Sequence, residues 1–112
     1  MYKIYCLVDP NTNAPFYVGV TKGKLRVRLS CHLQNVDYVV KNWKKRTLTY
    51  QRNELIYNIL NDLKKPKIYL LFVTDKSSAA FMEKKCYEYL TNQGAELLQS
   101  SILFQYNPER KR

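Results

Sequence analysis

Residues 5–32 read YCLVDPNTNAPFYVGVTKGKLRVRLSCH, and this stretch contains two strand patterns followed by a helical pattern. Residues that favour β-structure occupy positions 2–8 and 16–20, and the turn-forming run at 9–13 separates them. Two such segments joined by a short turn predict a β-hairpin. Side chains alternate along a strand, so Tyr5 is expected to share a face with Tyr17 if the hairpin register permits. The second strand would present Phe16, Val18 and Val20 on one face and Tyr17, Gly19 and Thr21 on the other.

A helix of about ten residues is predicted directly after the hairpin, because apolar residues recur there at i, i+4 and i+8. Arg28 and His32 are also four residues apart, so they should project side by side along the edge of the apolar stripe. The stripe itself consists of Leu25, Leu29 and Leu33.

The rest of the chain alternates between helical and strand patterns. Residues 50–63 form a helical pattern that Pro66 ends, and the apolar run 68–73 is typical of a central strand. Residues 35–49 have weak periodicity, which predicts a loop. A third helix is expected to begin at a cap formed by Asp75 or Ser77, to run to about Asn92 and to end before Gly94, and residues 97, 98 and 102–104 suggest a final helix or strand.

The composition describes one basic domain of 112 residues with a net charge of +10. Residues 1–40 hold five Lys or Arg against two acidic residues, and residues 41–65 hold seven against two. A positive field of this kind attracts polyanions, of which nucleic acid is the commonest inside cells. The expected domain covers residues 1–106, and residues 107–112 form a basic tail.

Several classes of protein are disfavoured by the same composition. No apolar run reaches the roughly 18 residues of a membrane span, and the N-terminus lacks the layout of a signal peptide, so a soluble intracellular protein without a membrane partner is expected. The three cysteines, Cys6, Cys31 and Cys86, are widely spaced and odd in number, which argues against a disulfide framework or a zinc site.

Glu83 lies in the apolar arc of the third predicted helix, whereas Lys84, Lys85 and Glu88 fall on the opposite side. A carboxylate facing the core costs several kcal/mol unless a cation, a metal or a cleft compensates it. Two interpretations follow: a core salt bridge with Arg28 or another basic residue, or a metal ligand at a basic groove. Arg28, His32, Tyr5 and Tyr17 are individually just as ambiguous, because each could be an ordinary surface or packing residue.

Taken together, these residues resemble the motif of the GIY-YIG nuclease family. The resemblance rests on Lys3-Ile4-Tyr5, Phe16-Tyr17-Val18-Gly19, Thr21, Leu25, Arg28 and His32, with the downstream glutamate at Glu83. It implies an α+β domain with a three-stranded antiparallel sheet flanked by helices, and cleavage of phosphodiester bonds in DNA with one Mg2+ or Mn2+ ion. Lys3 stands where the family has its first glycine, Val18 where it has isoleucine, and Gln99 where many members have asparagine.

The resemblance also assigns roles. Tyr5 would act as the general base, provided that nearby positive charge lowers its pKa, with Tyr17 as an orienting group or the alternative base. Arg28 would neutralise charge on the phosphoryl oxygens, and His32 would orient Tyr5 or contact phosphate. Glu83 would hold the metal.

Nucleic acid would be contacted by Gly19, whose backbone can approach the scissile group closely, and by a set of polar and basic residues. The set consists of Thr21, Lys22, Lys24, Arg26, Lys44, Lys45, Arg46 and Gln99. Two alternatives remain: a nucleic-acid-binding module of the same fold with weak or no cleavage, motivated by Gln99, and a basic adaptor for an acidic protein. A protein partner could supply specificity, and small free-standing relatives often occur in phages and mobile elements.

Overall fold

The computed structural model describes residues 1–34, 36–43 and 47–99. In these ranges the chain forms an α+β domain with a three-stranded antiparallel sheet, as expected from the resemblance. The strands are β1 (Tyr2–Val8), β2 (Pro15–Thr21) and β3 (Lys67–Thr74), in the order β2-β1-β3. The helices are α1 (Leu25–Leu33), α2 (Val36–Asn42), α3 (Leu48–Asn61) and α4 (Ala79–Asn92), with a 3-10 turn at Lys76–Ser78.

The predicted hairpin is confirmed, and its register places Tyr5 opposite Gly19 and Leu7 opposite Tyr17. Tyr5 and Tyr17 therefore lie on the same face of the sheet. The register shifts between Leu7 and Val8, so Phe16 is an extra residue in β2. Because of this bulge Phe16 packs in the same cluster as Tyr17, and the prediction that it shares a face with Val18 is wrong.

Two hydrophobic clusters cover the two faces of the sheet. The first is formed by Ile4, Cys6, Val8, Val18 and Val20 with Ala79 of α4. The second contains Tyr5, Leu7, Phe16 and Tyr17, together with Val36, Ile56 and Ile59 from α2 and α3. The predicted stripe of α1 (Leu25, Leu29 and Leu33) packs against the second cluster, which sets the orientation of that helix.

Two predictions about the middle of the chain are wrong. Residues 36–42 form α2 rather than a loop, because Val36 and Val39 lie one turn apart and are both buried. The run 68–73 was expected as a central strand, but β1 is the central strand and β3 lies at the edge. Most of the apolar side chains of β3 are consequently exposed.

The helix ends follow the sequence closely. Thr47 caps α3 by accepting a hydrogen bond from Tyr50 N at 3.0 Å, which starts this helix two residues before the predicted position. Asp75 accepts one from Ser78 N at 2.9 Å, as expected for a cap ahead of α4. Gly94 follows α4 with a φ of 96°, a conformation that favours glycine. No helix within the described ranges is long and apolar enough to cross a membrane.

Residues 98–99 close the outer edge of β2. Leu98 N donates to Phe16 O at 2.8 Å, and the Gln99 side chain forms two hydrogen bonds with the backbone of Val18. In these bonds Val18 N donates to Gln99 Oε1 at 2.6 Å and Gln99 Nε2 donates to Val18 O at 2.8 Å. Gln99 is only 3 % exposed, and its side chain serves the backbone of β2 in this structure; its contact with nucleic acid stays a prediction. The predicted segments 102–104 and 107–112 lie outside the described residues.

Candidate active site

The phenol of Tyr5 lies between two side chains of α1. Arg28 Nε donates a hydrogen bond to Tyr5 Oη at 3.0 Å, and Tyr5 Oη lies 2.7 Å from His32 Nε2. Tyr5 is fully buried on the central strand, while Arg28 and His32 are one helical turn apart on the face of α1 that meets it. The structure thus brings together the tyrosine, the arginine and the histidine that the sequence singled out.

The ring of Tyr17 completes an aromatic cluster beside this group. Its centroid lies 6.2 Å from that of Tyr5 and 5.0 Å from that of His32, the latter in an edge-on arrangement. The guanidinium carbon of Arg52 lies 4.7 Å from the centroid of Tyr17, which is the geometry of a cation–π contact. Two arginines from different helices therefore flank the tyrosine–histidine cluster.

Sequence analysis did not identify Arg52. The signal was nevertheless available, because Arg52 precedes Leu55, Ile56 and Ile59 by three, four and seven residues and so continues the apolar stripe of α3. The same reasoning had singled out Glu83, and it applies to a cation on an apolar stripe as well as to an anion.

The pKa of Tyr5 is raised, in the opposite direction to the one expected. Burial is the main cause and the neighbouring Tyr17 adds to it, and these effects outweigh the charge and hydrogen bond of Arg28. Tyr5 is therefore a neutral phenol in this structure. The condition set for Tyr5 as the base, that nearby positive charge lowers its pKa, is not met in the protein without substrate or metal, because desolvation of the buried ring outweighs the lowering by Arg28.

The pKa of His32 is lowered to about 3, first by burial and then by the positive charges of Arg28 and Arg52. A neutral imidazole has one acceptor nitrogen, and a neutral phenol has one proton to donate. Since Arg28 Nε must donate to Tyr5, we assign the second hydrogen bond as Tyr5 O–H donating to His32 Nε2. This assignment gives a directed chain from the guanidinium through the phenol to the imidazole.

A buried neutral histidine makes stability depend on pH. Its folded pKa of about 3 lies below the ordinary histidine value of 6.5, so the unfolded chain takes up the proton first as the pH falls. The stabilisation is complete above pH 6.5 and decreases toward pH 3, by at most about 1.4 kcal/mol per pH unit.

His32→Gln keeps an acceptor for Tyr5 but does not titrate. Urea unfolding at pH 7 and pH 5 should show wild type losing about 2 kcal/mol more than this variant; equal losses would contradict the assignment.

Gly19 provides the space that Tyr5 fills. A Cβ atom at this position would lie 2.5 Å from Tyr5 Oη and 2.8 Å from Tyr17 Cε2. The absence of a side chain was expected to let the backbone approach the scissile group, but in the structure it makes room for the two tyrosines. The glycine is thus part of the packing that fixes the phenol.

Gly19→Ala is expected to destabilise the fold by about 1–3 kcal/mol, because both rings are packed too tightly to move freely. Gly23→Ala is the matched control, since the nearest atom to its new Cβ is Thr21 Oγ1 at 3.9 Å. Thermal unfolding of both variants measures the difference. Equal midpoints would mean that Tyr5 can shift without cost.

Glu83 is buried, as the helical arc predicted, and is only 3 % exposed. Its charge contributes to the raised pKa of Tyr5, which places the carboxylate within electrostatic reach of the phenol. No group of three or more His, Cys, Asp or Glu that could hold a metal occurs in the described ranges. A single carboxylate does fit Mg2+, which takes one or two protein carboxylates and completes its shell with water and substrate phosphate.

The basic residues expected to contact nucleic acid cluster where β2 leads into α1. Lys22, Lys24 and Arg26 are exposed there, and Lys22 Nζ lies 5.5 Å from the ring centroid of Tyr2. Thr21 Oγ1 accepts a hydrogen bond from Gly23 N at 3.2 Å, so this threonine shapes the turn. The segment 44–46, which carries Lys44, Lys45 and Arg46, lies outside the described residues.

Comparison with protein families, with curated proteins and with solved structures found no match for this chain. The similarity to GIY-YIG nucleases therefore rests on the motif residues.

Proposed function

We propose that this protein is a metal-dependent endonuclease that hydrolyses phosphodiester bonds in DNA. The observation that carries the proposal is the hydrogen-bonded group of Arg28, Tyr5 and His32, two members of which lie on the helix that follows the basic turn. A phenol held by a guanidinium and a neutral imidazole has little structural purpose in a sheet core, where an apolar side chain would pack at lower cost.

The chain of hydrogen bonds supports a proton relay. Tyr5 is buried in the free protein, so substrate binding would have to admit the attacking water to Tyr5 Oη. That water would give its proton to Tyr5 Oη as the phenol proton passes to His32 Nε2, so that Tyr5 is neutral before and after the transfer. Within the described part of the chain Arg28 uses Nε for Tyr5, which leaves its two terminal nitrogens for the phosphoryl oxygens. Mg2+ held by Glu83 would supply positive charge to the leaving oxygen.

Substrate binding would prepare the imidazole for this step. The pKa of His32 is low partly because Arg28 and Arg52 are positively charged. A phosphate bound between these arginines offsets their charge, which raises the pKa of His32 and makes it a better proton acceptor. Without substrate, burial together with the charges of these two arginines keeps the pKa of His32 low and the relay inactive.

A nucleic-acid-binding module with little cleavage is the second candidate. The raised pKa of Tyr5 and the lowered pKa of His32 favour it, because neither group is a strong base in the free protein. Both candidates predict affinity for DNA that falls by decades between roughly 50 and 200 mM salt if six or more phosphates are contacted.

A nicking assay on plasmid DNA with Mg2+, Mn2+ or EDTA separates the two candidates. The endonuclease cuts with either metal, stops in EDTA and fails when Arg28 is replaced by alanine. Arg26→Ala is the matched control, because Arg26 lies on the same helix but is exposed; it should weaken binding modestly and leave cutting intact at saturating DNA. Salt-sensitive binding without cutting under any condition would support the binding module.

A further inference from the structure

A bulge in β3 brings two aromatic rings to one face of the sheet. The pairing of β1 with β3 skips Leu71, which is therefore an extra residue in β3. Tyr69 and Phe72 consequently lie on the same face although they are three residues apart, because their partners Cys6 and Ile4 both belong to the cluster that packs against α4. The two rings are 48 % and 43 % exposed, so α4 leaves this part of β3 uncovered.

The side of α4 next to β3 carries a second row of exposed side chains. Phe81, Lys85 and Tyr89 are spaced at i, i+4 and i+8, so they form one stripe along the helix. Both rings are more than half exposed, and Lys85 Nζ lies 5.3 Å from the ring centroid of Phe81. A groove of about 270 Å³ lies between this stripe and β3, lined by Leu71, Lys85, Cys86, Tyr89 and Leu90.

Each wall of this groove combines one lysine with two aromatic rings. Lys67 completes the wall formed by β3, because its partner Val8 belongs to the same cluster as the partners of the two rings. Six lysines but only two acidic residues are exposed in the segment 64–92, so the groove lies in a positive field. We define the β3–α4 groove by six residues: Lys67, Tyr69, Phe72, Phe81, Lys85 and Tyr89.

The mixture of lysines and aromatic rings fits a single-stranded nucleic acid. Single strands bind where bases can stack on aromatic side chains while basic residues neutralise the phosphates. The bases of a duplex already stack on one another, so their faces are not accessible to the rings of the groove. A protein partner fits less well, because lysine is depleted at the centre of protein interfaces and Lys85 lies between the two rings of α4.

We propose that the β3–α4 groove binds single-stranded DNA by stacking bases on its aromatic rings. DNA fits better than RNA, because Leu71, Cys86 and Leu90 offer no strong hydrogen-bonding partner to a ribose 2′-hydroxyl. The groove lies on the opposite face of the sheet from Tyr5, which packs in the other cluster. Binding in the groove therefore does not depend on the proposed cleavage.

Fluorescence anisotropy with a labelled oligothymidylate of about 12 nucleotides in EDTA tests the proposal. Phe81→Leu and Tyr89→Leu should each weaken binding by roughly five- to ten-fold, because leucine keeps an apolar contact but offers no ring for stacking. Tyr38→Leu on α2 is the matched control, since Tyr38 is as exposed as these residues but lies outside the groove. It should leave the affinity unchanged, and thermal unfolding confirms that all three variants are folded. Equal losses in all three variants, or no loss in any, would overturn the proposal.

The salt dependence of binding tests the role of Lys85. Lys85→Gln should lower the slope of log affinity against log salt by about 0.7, the contribution of one phosphate contact on a single strand. Lys84→Gln removes the same charge from a neighbouring exposed position that is turned about 100° away from the groove, so it should change the slope less. Equal slopes for the two variants would mean that only net charge matters, which would also overturn the proposal.

Competition distinguishes the possible occupants of the groove. Unlabelled oligothymidylate should displace the probe more effectively than oligouridylate, polyglutamate or a duplex of the same length. Stronger competition by oligouridylate or polyglutamate would assign the groove to RNA or to an acidic protein, and self-association that Phe81→Leu abolishes would assign it to a second copy. Each of these results would overturn the proposal.

Plasmid nicking separates this proposal from the proposed endonuclease activity. Phe81→Leu should nick plasmid DNA at the wild-type rate, because the groove lies on the other face of the sheet from the candidate active site. A chain that nicks plasmid DNA but does not bind the single strand would contradict the groove alone. A chain that binds the single strand through the groove but never nicks would contradict the endonuclease alone.

Discussion

Glu83→Gln should abolish cleavage while leaving DNA binding intact or stronger. The substitution keeps the volume of a side chain that is only 3 % exposed but removes the charge that would hold the metal. Loss of that charge should reduce cleavage by at least about a thousand-fold. The affinity for DNA should be retained or increased, because the substitution removes a negative charge that would lie near a bound phosphate. The measurement is the single-turnover rate of nicking with saturating Mg2+, together with DNA affinity.

The same variant separates the two interpretations of Glu83. If the carboxylate serves the metal, stability without metal should stay the same or rise, because the burial of a charge is relieved. If it forms only a core salt bridge, the substitution should destabilise the fold by a few kcal/mol. Glu88→Gln, on the exposed side of the same helix, should change neither property. Cleavage by Glu83→Gln at the wild-type rate would contradict the assignment of Glu83 as the metal ligand.

Tyr5→Phe should reduce cleavage by about 10²- to 10⁴-fold, because it removes the atom through which the proton relay runs. The ring that packs against Tyr17 and Gly19 is retained, so the fold should persist. The variant leaves a buried guanidinium nitrogen and an imidazole nitrogen without their shared partner, which should cost about 1–3 kcal/mol. Nicking rates across pH, measured alongside urea unfolding, report both effects.

Tyr17→Phe is the informative comparison for this prediction. Its ring contacts His32 and Arg52, but the hydrogen bonds to Arg28 and His32 belong to Tyr5. Tyr17→Phe should therefore slow cleavage less than Tyr5→Phe. If Tyr5→Phe keeps full activity at every pH and Tyr17→Phe does not, Tyr17 is the base.

The hairpin and α1 could be predicted because local signals determine them: a dense turn, alternating side chains and a leucine every fourth residue. The sequence could not predict that β3 lies at the edge of the sheet, since a continuous apolar run is usually typical of a strand that is buried on both faces. The helix α2 was missed because seven residues carry too few periods for a confident pattern, and its buried face consists of only Val36 and Val39.

For the candidate site, the sequence was sufficient to predict which residues lie together, but not the direction in which the pKa of Tyr5 is shifted. Spacing alone places Arg28 beside His32, and a strand register places Tyr5 beside Tyr17. The direction of the Tyr5 pKa shift depends on how deeply the phenol is buried, and burial is a property of the packed sheet. The β-bulge at Phe16 could not be predicted either, because a bulge depends on how the strand pairs with its neighbour.

The two hydrogen bonds between Gln99 and Val18 join residues that are 81 positions apart in the chain, so they can form only after most of the domain has been synthesised. A one-residue slip of β2 would turn Tyr17 to the other face of the sheet, so the bonds that hold Val18 also hold Tyr17 in place. The hairpin and α1 leave the ribosome long before residue 99. The early segment can thus form the site from its own pairing of β1 with β2, but the hydrogen bonds between Gln99 and Val18 reinforce that register only after residue 99 has been synthesised. A chain truncated before Gln99 would keep every candidate catalytic side chain. It would lose the hydrogen bonds to Val18 that help to hold Tyr17 on the same face of the sheet as Tyr5.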